Sequence, residues 1–266
     1  MSHQVKSKDG TAIAYDKSGQ GPAVVIVGGV VGDRSQQAGV AELLAKDFTV
    51  FNFDRRAHGE SGDTPPYAVE REIEDIDAVI HAAGGSAFVY GTSGPGVLAL
   101  HAAAAAPGAN MKKLAIWEPP FIIDGSRPKV RSDYKAYLTS LLKEGRRGDM
   151  VEAFFTEAVG MPAQFVAQMR QAPWWSGQEA LAHTTIYDAT IMGDYSLPRA
   201  ELARIKVTTV VIDGGTSPWL SKSADAVASV LPRGQRRTLA GQQHNVDPAA
   251  IAPTLAEFFK SSGQDT

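Results

Sequence analysis

Five short, mostly apolar runs constrain this chain more than any other feature: Ala23–Val27, Phe48–Phe53, Phe88–Tyr90, Leu114–Trp117 and Val207–Ile212. They are rich in β-branched and aromatic residues and show little alternation with polar ones, which suits strands buried on both faces of a parallel sheet. Helical spacing separates them: Val40, Leu43 and Leu44 within 36–46, then Ile73, Ile76, Val79 and Ile80 within 67–83, then an alanine-rich stretch over 96–106. Residues 4–7 and 11–15, around Lys8-Asp9-Gly10, read as an opening β-hairpin, because Asp-Gly favours a tight turn. The alternation breaks once. From Phe121 to about Pro198 the pattern is helical; a strand at 207–212, a helix at 221–230, a strand near 235–239 and a helix at 248–260 then follow. The expectation is an α/β fold with a mostly parallel, doubly wound sheet. Its core spans 1–120 and 199–266, and a helical insertion at 121–198 follows the sixth strand.

Composition narrows the function classes. A chain of 266 residues, 44% hydrophobic, is long enough for one such core with an insertion. Its net charge of −3 gives no electrostatic footprint for nucleic acid. It has no cysteine, so disulfides, thiolate metal sites and a cysteine nucleophile are excluded. The N-terminal residues lack the apolar stretch of a signal peptide, and no apolar run reaches membrane-spanning length. A cytoplasmic protein acting on a small molecule, without cofactor, metal, nucleic acid or membrane, is expected; the oligomeric state stays open.

Chemistry is most legible at Phe88-Val89-Tyr90-Gly91-Thr92-Ser93-Gly94-Pro95-Gly96. A serine on a turn between strand and helix exposes its hydroxyl beside the helix N-terminal amides, the geometry of a nucleophile elbow. Pro95 stands where the G-x-S-x-G pattern has its second glycine, with Gly96 one place later; proline is tolerated in the first turn of a helix. An activated serine needs a base. Of the six histidines, His244 lies in a loop between the last strand and the last helix, and loops at the carboxyl ends of parallel strands converge on one edge.

The chain resembles the α/β-hydrolase superfamily over nearly its whole length. The resemblance rests on Gly28-Gly29 after a strand, Asp54-Arg55-Arg56-Ala57-His58-Gly59-Glu60-Ser61, the elbow at 91–96, and Gly241-Gln242-Gln243-His244. It departs from the family pattern at Gly28, Ala57, Pro95 and Ser217, the last being where an aspartate usually follows the penultimate strand. The resemblance implies that His58 is structural, that Ser93 is the nucleophile and His244 the base, and that Val30 and Gly94 donate backbone N–H groups to an oxyanion. For the acid it offers Glu118, at the end of the strand after the elbow, with Asp213 as the alternative. Gly29, Phe154, Trp174 and Trp175 are candidate substrate contacts, with Tyr134, Phe155, Met161, Phe165 and Met169 as further aromatic and sulfur side chains of the insertion. The implied activity is hydrolysis of a carboxylic ester or lactone through an acyl-enzyme. The alternatives are a ligand-binding protein of the same fold, or C–C bond hydrolysis or perhydrolysis by the same Ser-His pair.

Overall fold

The computed structural model describes residues 2–105 and 110–261. Eight strands form one sheet: β1 (Ser2–Lys6), β2 (Ala12–Ser18), β3 (Ala23–Val27), β4 (Thr49–Phe53), β5 (Ala87–Thr92), β6 (Met111–Trp117), β7 (Thr209–Gly215) and β8 (Gly234–Gln242). Their order across the sheet is β1-β2-β4-β3-β5-β6-β7-β8. The β1–β2 hairpin and the β2–β4 pair are antiparallel, and the remaining pairs are parallel. The apolar runs behave as their composition requires. In β3, Val25 and Val27 enter one core and Val24 and Ile26 the other, so both faces of the strand are buried.

Helices α1 (Ala38–Leu44), α2 (Val69–Ala82) and α3 (Ser93–Ala105) alternate with the early strands, and Ala106, the last residue expected in α3, lies outside the described residues. Between β6 and β7 the chain is helical: α4 (Tyr134–Lys143), α5 (Arg147–Ala153), a π turn at 154–158, α6 (Ala163–Met169), α7 (Trp175–Ala180), α8 (Thr185–Met192) and α9 (Arg199–Leu202). Helices α10 (Pro218–Val230) and α11 (Pro248–Lys260) complete the alternation. Val40 and Leu44 of α1 pack with Ile251, Leu255 and Phe258 of α11 on one face of the sheet. Ile76 and Val79 of α2, Val97 and Leu100 of α3, and Val227 of α10 cover the other. The strand order reverses about β3 and β5, so the loops after β3, β5, β6, β7 and β8 gather along one edge. Among the described residues, no helix is long and apolar enough to cross a membrane.

Candidate active site

Ser93 occupies the first position of α3 with φ 56°, a left-handed conformation rare outside glycine. Its neighbours explain how the turn closes. A Cβ on Gly91 would sit 2.7 Å from Gly96 Cα, and one on Gly96 would sit 3.1 Å from the Gly91 carbonyl oxygen. The close approach therefore joins positions 91 and 96, and the glycine it demands is Gly96. Pro95 lies in the first helical turn, where its missing N–H leaves no bond unmade. The Gly94 amide lies in that turn too, among the donors without a partner within the helix.

Two other loops complete a hydrogen-bonded chain. His244 Nε2 is 3.1 Å from Ser93 Oγ, and His244 Nδ1 is 2.7 Å from Glu118 Oε2. An ionised carboxylate only accepts, so Nδ1 carries the proton and Nε2 is left to accept from the serine hydroxyl. The Glu118 side chain is only 1% exposed, while that of His244 is 43% exposed. Glu118 also has positive φ, 42°, and precedes Pro119 and Pro120, which have no amide to compete for its oxygens. The Gly214 amide donates to Oε1 at 3.0 Å, which fixes the carboxylate from the neighbouring strand end. Trp117 Nε1 donates to the His244 carbonyl at 2.9 Å and steadies the loop that holds the ring.

Asp213, the alternative acid, points elsewhere. It accepts from Thr238 Oγ1 at 2.7 Å, from Ser221 Oγ and from the Gly215 amide, and pairs with Arg236 at 2.9 Å. Burial pushes its carboxyl up, and the bonds from Arg236, Ser221 and Thr238 more than reverse this, leaving it below the ordinary carboxylate range.

A cavity of about 230 Å³ opens at Ser93, Gly94, Val30 and His244. Phe154, Val159, Met192, Trp219 and Leu220 supply apolar wall, and Asp188 is the one carboxylate among its described lining residues. Phe154 thus stands where the sequence suggested. Trp174 and Trp175 do not line this cavity: Trp174 is 47% exposed, and Trp175 is buried against Phe155 with its indole N–H on Glu179 at 2.9 Å. As bulky aromatic side chains of the insertion they suit an apolar wall, but the structure packs Trp175 within the insertion and leaves Trp174, just before α7, half exposed. Tyr134, Phe155, Met161, Phe165 and Met169 are likewise absent from the lining.

The loop after β3 carries Gly29 and Val30. Gly29 is buried with φ 86° and offers its carbonyl to Arg55 Nη1 at 3.2 Å. The Val30 amide faces a competitor, because it donates to Gln36 Oε1 at 3.2 Å and the same side chain returns Nε2 to the Val30 carbonyl at 3.3 Å. Sequence reasoning missed Gln36, since nothing in its spacing indicates a bond back onto this loop. The 54–61 segment folds on itself. Asp54 accepts from the Arg34 and Glu60 amides at 2.7 and 2.8 Å, and Ser61 Oγ donates to the Asp54 carbonyl at 2.7 Å. His58 lies in that loop, buried, with Nδ1 2.8 Å from the Arg56 carbonyl, and burial pushes its pKa down to about 4.

Known proteins share this fold. An alpha/beta hydrolase from Sphaerobacter thermophilus is 53% identical and superposes with a TM-score of 0.91 over 97% of this chain and all of its own. A thermophilic esterase from Thermogutta terrifontis, 18% identical, has the same fold with a TM-score of 0.72 over 98% of each chain. A protein of Mycobacterium tuberculosis named probable oxidoreductase EphD is 38% identical over 85 residues; the match spans 30% of this chain and only 14% of the length of that relative. The sheet order, the strained serine after β5 and these likenesses agree with the match of the alpha/beta hydrolase family model to residues 24–254, and the chain belongs to that family.

Proposed function

We propose that the chain is a serine hydrolase that cleaves a carboxylic ester or lactone of a small, largely apolar substrate through an acyl-enzyme. The observation that carries this reading is the unbroken hydrogen-bonded series Glu118–His244–Ser93 opening on the cavity. In this mechanism Ser93 Oγ attacks the carbonyl carbon and its proton passes to His244 Nε2. Glu118 holds the Nδ1 tautomer and stabilises the imidazolium. The oxygen that gains charge is met by the amides of Gly94 and Val30, the latter exchanging its Gln36 acceptor for the substrate. Collapse of the tetrahedral intermediate breaks the ester C–O bond, and His244 returns the proton to the leaving alcohol. Water, deprotonated by the same imidazole, then releases the acid.

The helical segment 121–198 acts as a cap in this reading, with core 1–120 and 199–266, since Phe154, Val159, Asp188 and Met192 of that segment form much of the wall. A cavity of about 230 Å³ suits a short acyl or alcohol group. The test pairs a p-nitrophenyl ester assay with labelling by a fluorophosphonate probe. Ser93→Ala should abolish labelling and lower kcat on the order of a million-fold, as loss of a nucleophile does in hydrolases of this type. Turnover or labelling that persists in the variant sinks the mechanism. A protein that only binds its ligand would show neither activity in the wild type.

A further inference from the structure

Asp188 is the feature of the cavity that ester cleavage leaves unused. It lies on α8, its side chain is 7% exposed, and it lines the same cavity as Ser93. One oxygen, Oδ1, accepts from Arg55 Nη1 at 2.7 Å. The other, Oδ2, is buried and has no hydrogen-bond partner among the described residues. A buried acceptor left unpaired is unfavourable, and because Asp188 lines the cavity, a small rotation of its side chain would bring Oδ2 to a ligand donor that relieves it.

The surroundings select the donor. Arg55 is shared between Asp188 and Glu72, whose oxygens lie 2.7 Å from its Nε and Nη2, so one guanidinium faces two carboxylates. Burial raises the Asp188 carboxyl and Arg55 opposes it. A hydroxyl suits either protonation state, because it both donates and accepts. An ammonium does not suit the place: Arg55 already lies 2.7 Å from the same carboxylate, and Phe154, Met192 and Leu220 offer the new cation no compensation.

We propose that Asp188 is the polar specificity determinant of this cavity and that the substrate is an ester or lactone bearing a hydroxyl group that bonds Asp188 Oδ2. The proposal rests on the serine hydrolase reading for its substrate class, and on the unpaired oxygen for the hydroxyl. It makes Asp188 a binding residue that takes no part in the chemical step.

The experiment uses p-nitrophenyl hexanoates with a hydroxyl on the second, third or sixth carbon, each against the analogue carrying methyl instead, and one ammonium analogue. In the wild type, at least one hydroxyl ester should be favoured about tenfold to hundredfold in kcat/KM over its methyl counterpart, as expected for a hydrogen bond to a charged partner. Asp188→Ala should bring that ratio within about threefold, while Asp188→Asn, which retains polar atoms at both positions, should keep much of it. The ratio compares two substrates in one preparation, so a lower folded fraction cancels. The rise in Tm of the Ser93→Ala protein with the same compounds reads Asp188 without any chemistry, so failure of hydrolysis and failure of recognition are told apart. The proposal is overturned by equal preference at every position, by a ratio that survives Asp188→Ala, or by preference for the ammonium ester.

Discussion

The carboxyl ends of β6 and β7 are adjacent, and each carries a buried acid: Glu118 just after β6, and Asp213 near the carboxyl end of β7. Both ends also grip the loop that holds His244. Trp117 Nε1 bonds the His244 carbonyl at 2.9 Å, and Thr216 Oγ1 bonds the Gln242 carbonyl at 2.7 Å. The difference lies in what surrounds each carboxylate. Asp213 faces β8, where Thr238 and Arg236 occupy its oxygens. Glu118 receives only a backbone amide on Oε1 and keeps Oε2 for the imidazole. Two carboxylates with similar burial and nearly the same position in the fold thus do different work: one reaches the histidine, and the other ties β7 to β8 and α10. An acid at a strand end becomes available for chemistry when its neighbours leave one oxygen unclaimed.

The sharpest break of this comparison is Glu118→Gln. The Gly214 amide will hold the glutamine oxygen at the Oε1 position, which turns the NH₂ toward His244 Nδ1. That donor selects the tautomer with the proton on Nε2, which cannot accept from Ser93. On the serine hydrolase reading kcat should fall about ten-thousand-fold, with KM little changed, measured on a p-nitrophenyl ester. A fall of less than tenfold would remove Glu118 from the mechanism.

Asp213→Asn should do the reverse. The expected kcat stays within about threefold of wild type, while urea unfolding shows a loss of about 1–3 kcal/mol from the broken ion pair and hydrogen bonds. The pH dependence follows from the sign of the shift. The folded-state carboxyl is held below its ordinary value, so its contribution is present above the unfolded pKa and is lost as pH falls through the lower folded value. The stability gap between wild type and Asp213→Asn should therefore narrow below about pH 4. A gap that widens on acidification would mean that the carboxyl is raised by folding.

How much of this was legible in the chain depends on the kind of interaction. The strands were legible because burial on both faces demands mostly apolar runs, and the pairing of Ser93 with His244 was suggested by loops that share one edge of the sheet, whereas Glu118 came from the family resemblance. The choice of Glu118 over Asp213 hinged on the missing acid at Ser217, which does line the cavity but offers no carboxylate. That Pro95 fits a first helical turn was legible, but that the close approach falls on Gly96 was not, because the contact of Gly91 with Gly96 is a distance between backbones. Trp174 and Trp175 misled for the opposite reason: bulk and adjacency say nothing about which side of a short helix faces a cavity. Asp188 left one trace, an acid inside the apolar stretch Ile186–Met192, but its partner Arg55 is 133 positions away in the chain.

The smallest expected effects come from the two bonds that hold the histidine loop. Trp117→Phe removes the indole donor to the His244 carbonyl and keeps most of the ring volume; Thr216→Val removes the donor to the Gln242 carbonyl with nearly the same shape. Each bond is worth about 0.5–1.5 kcal/mol, so kcat should fall about twofold to tenfold in either variant. KM should move only for Thr216→Val, because Thr216 lines the cavity and Trp117 does not. The ratio between Trp117→Phe and Glu118→Gln carries the comparison to its end. If the tryptophan variant lost as much activity as the glutamine variant, the β6 end would act by fixing the loop, and the carboxylate would be secondary. A difference of about a thousandfold between them assigns the work to the carboxylate itself.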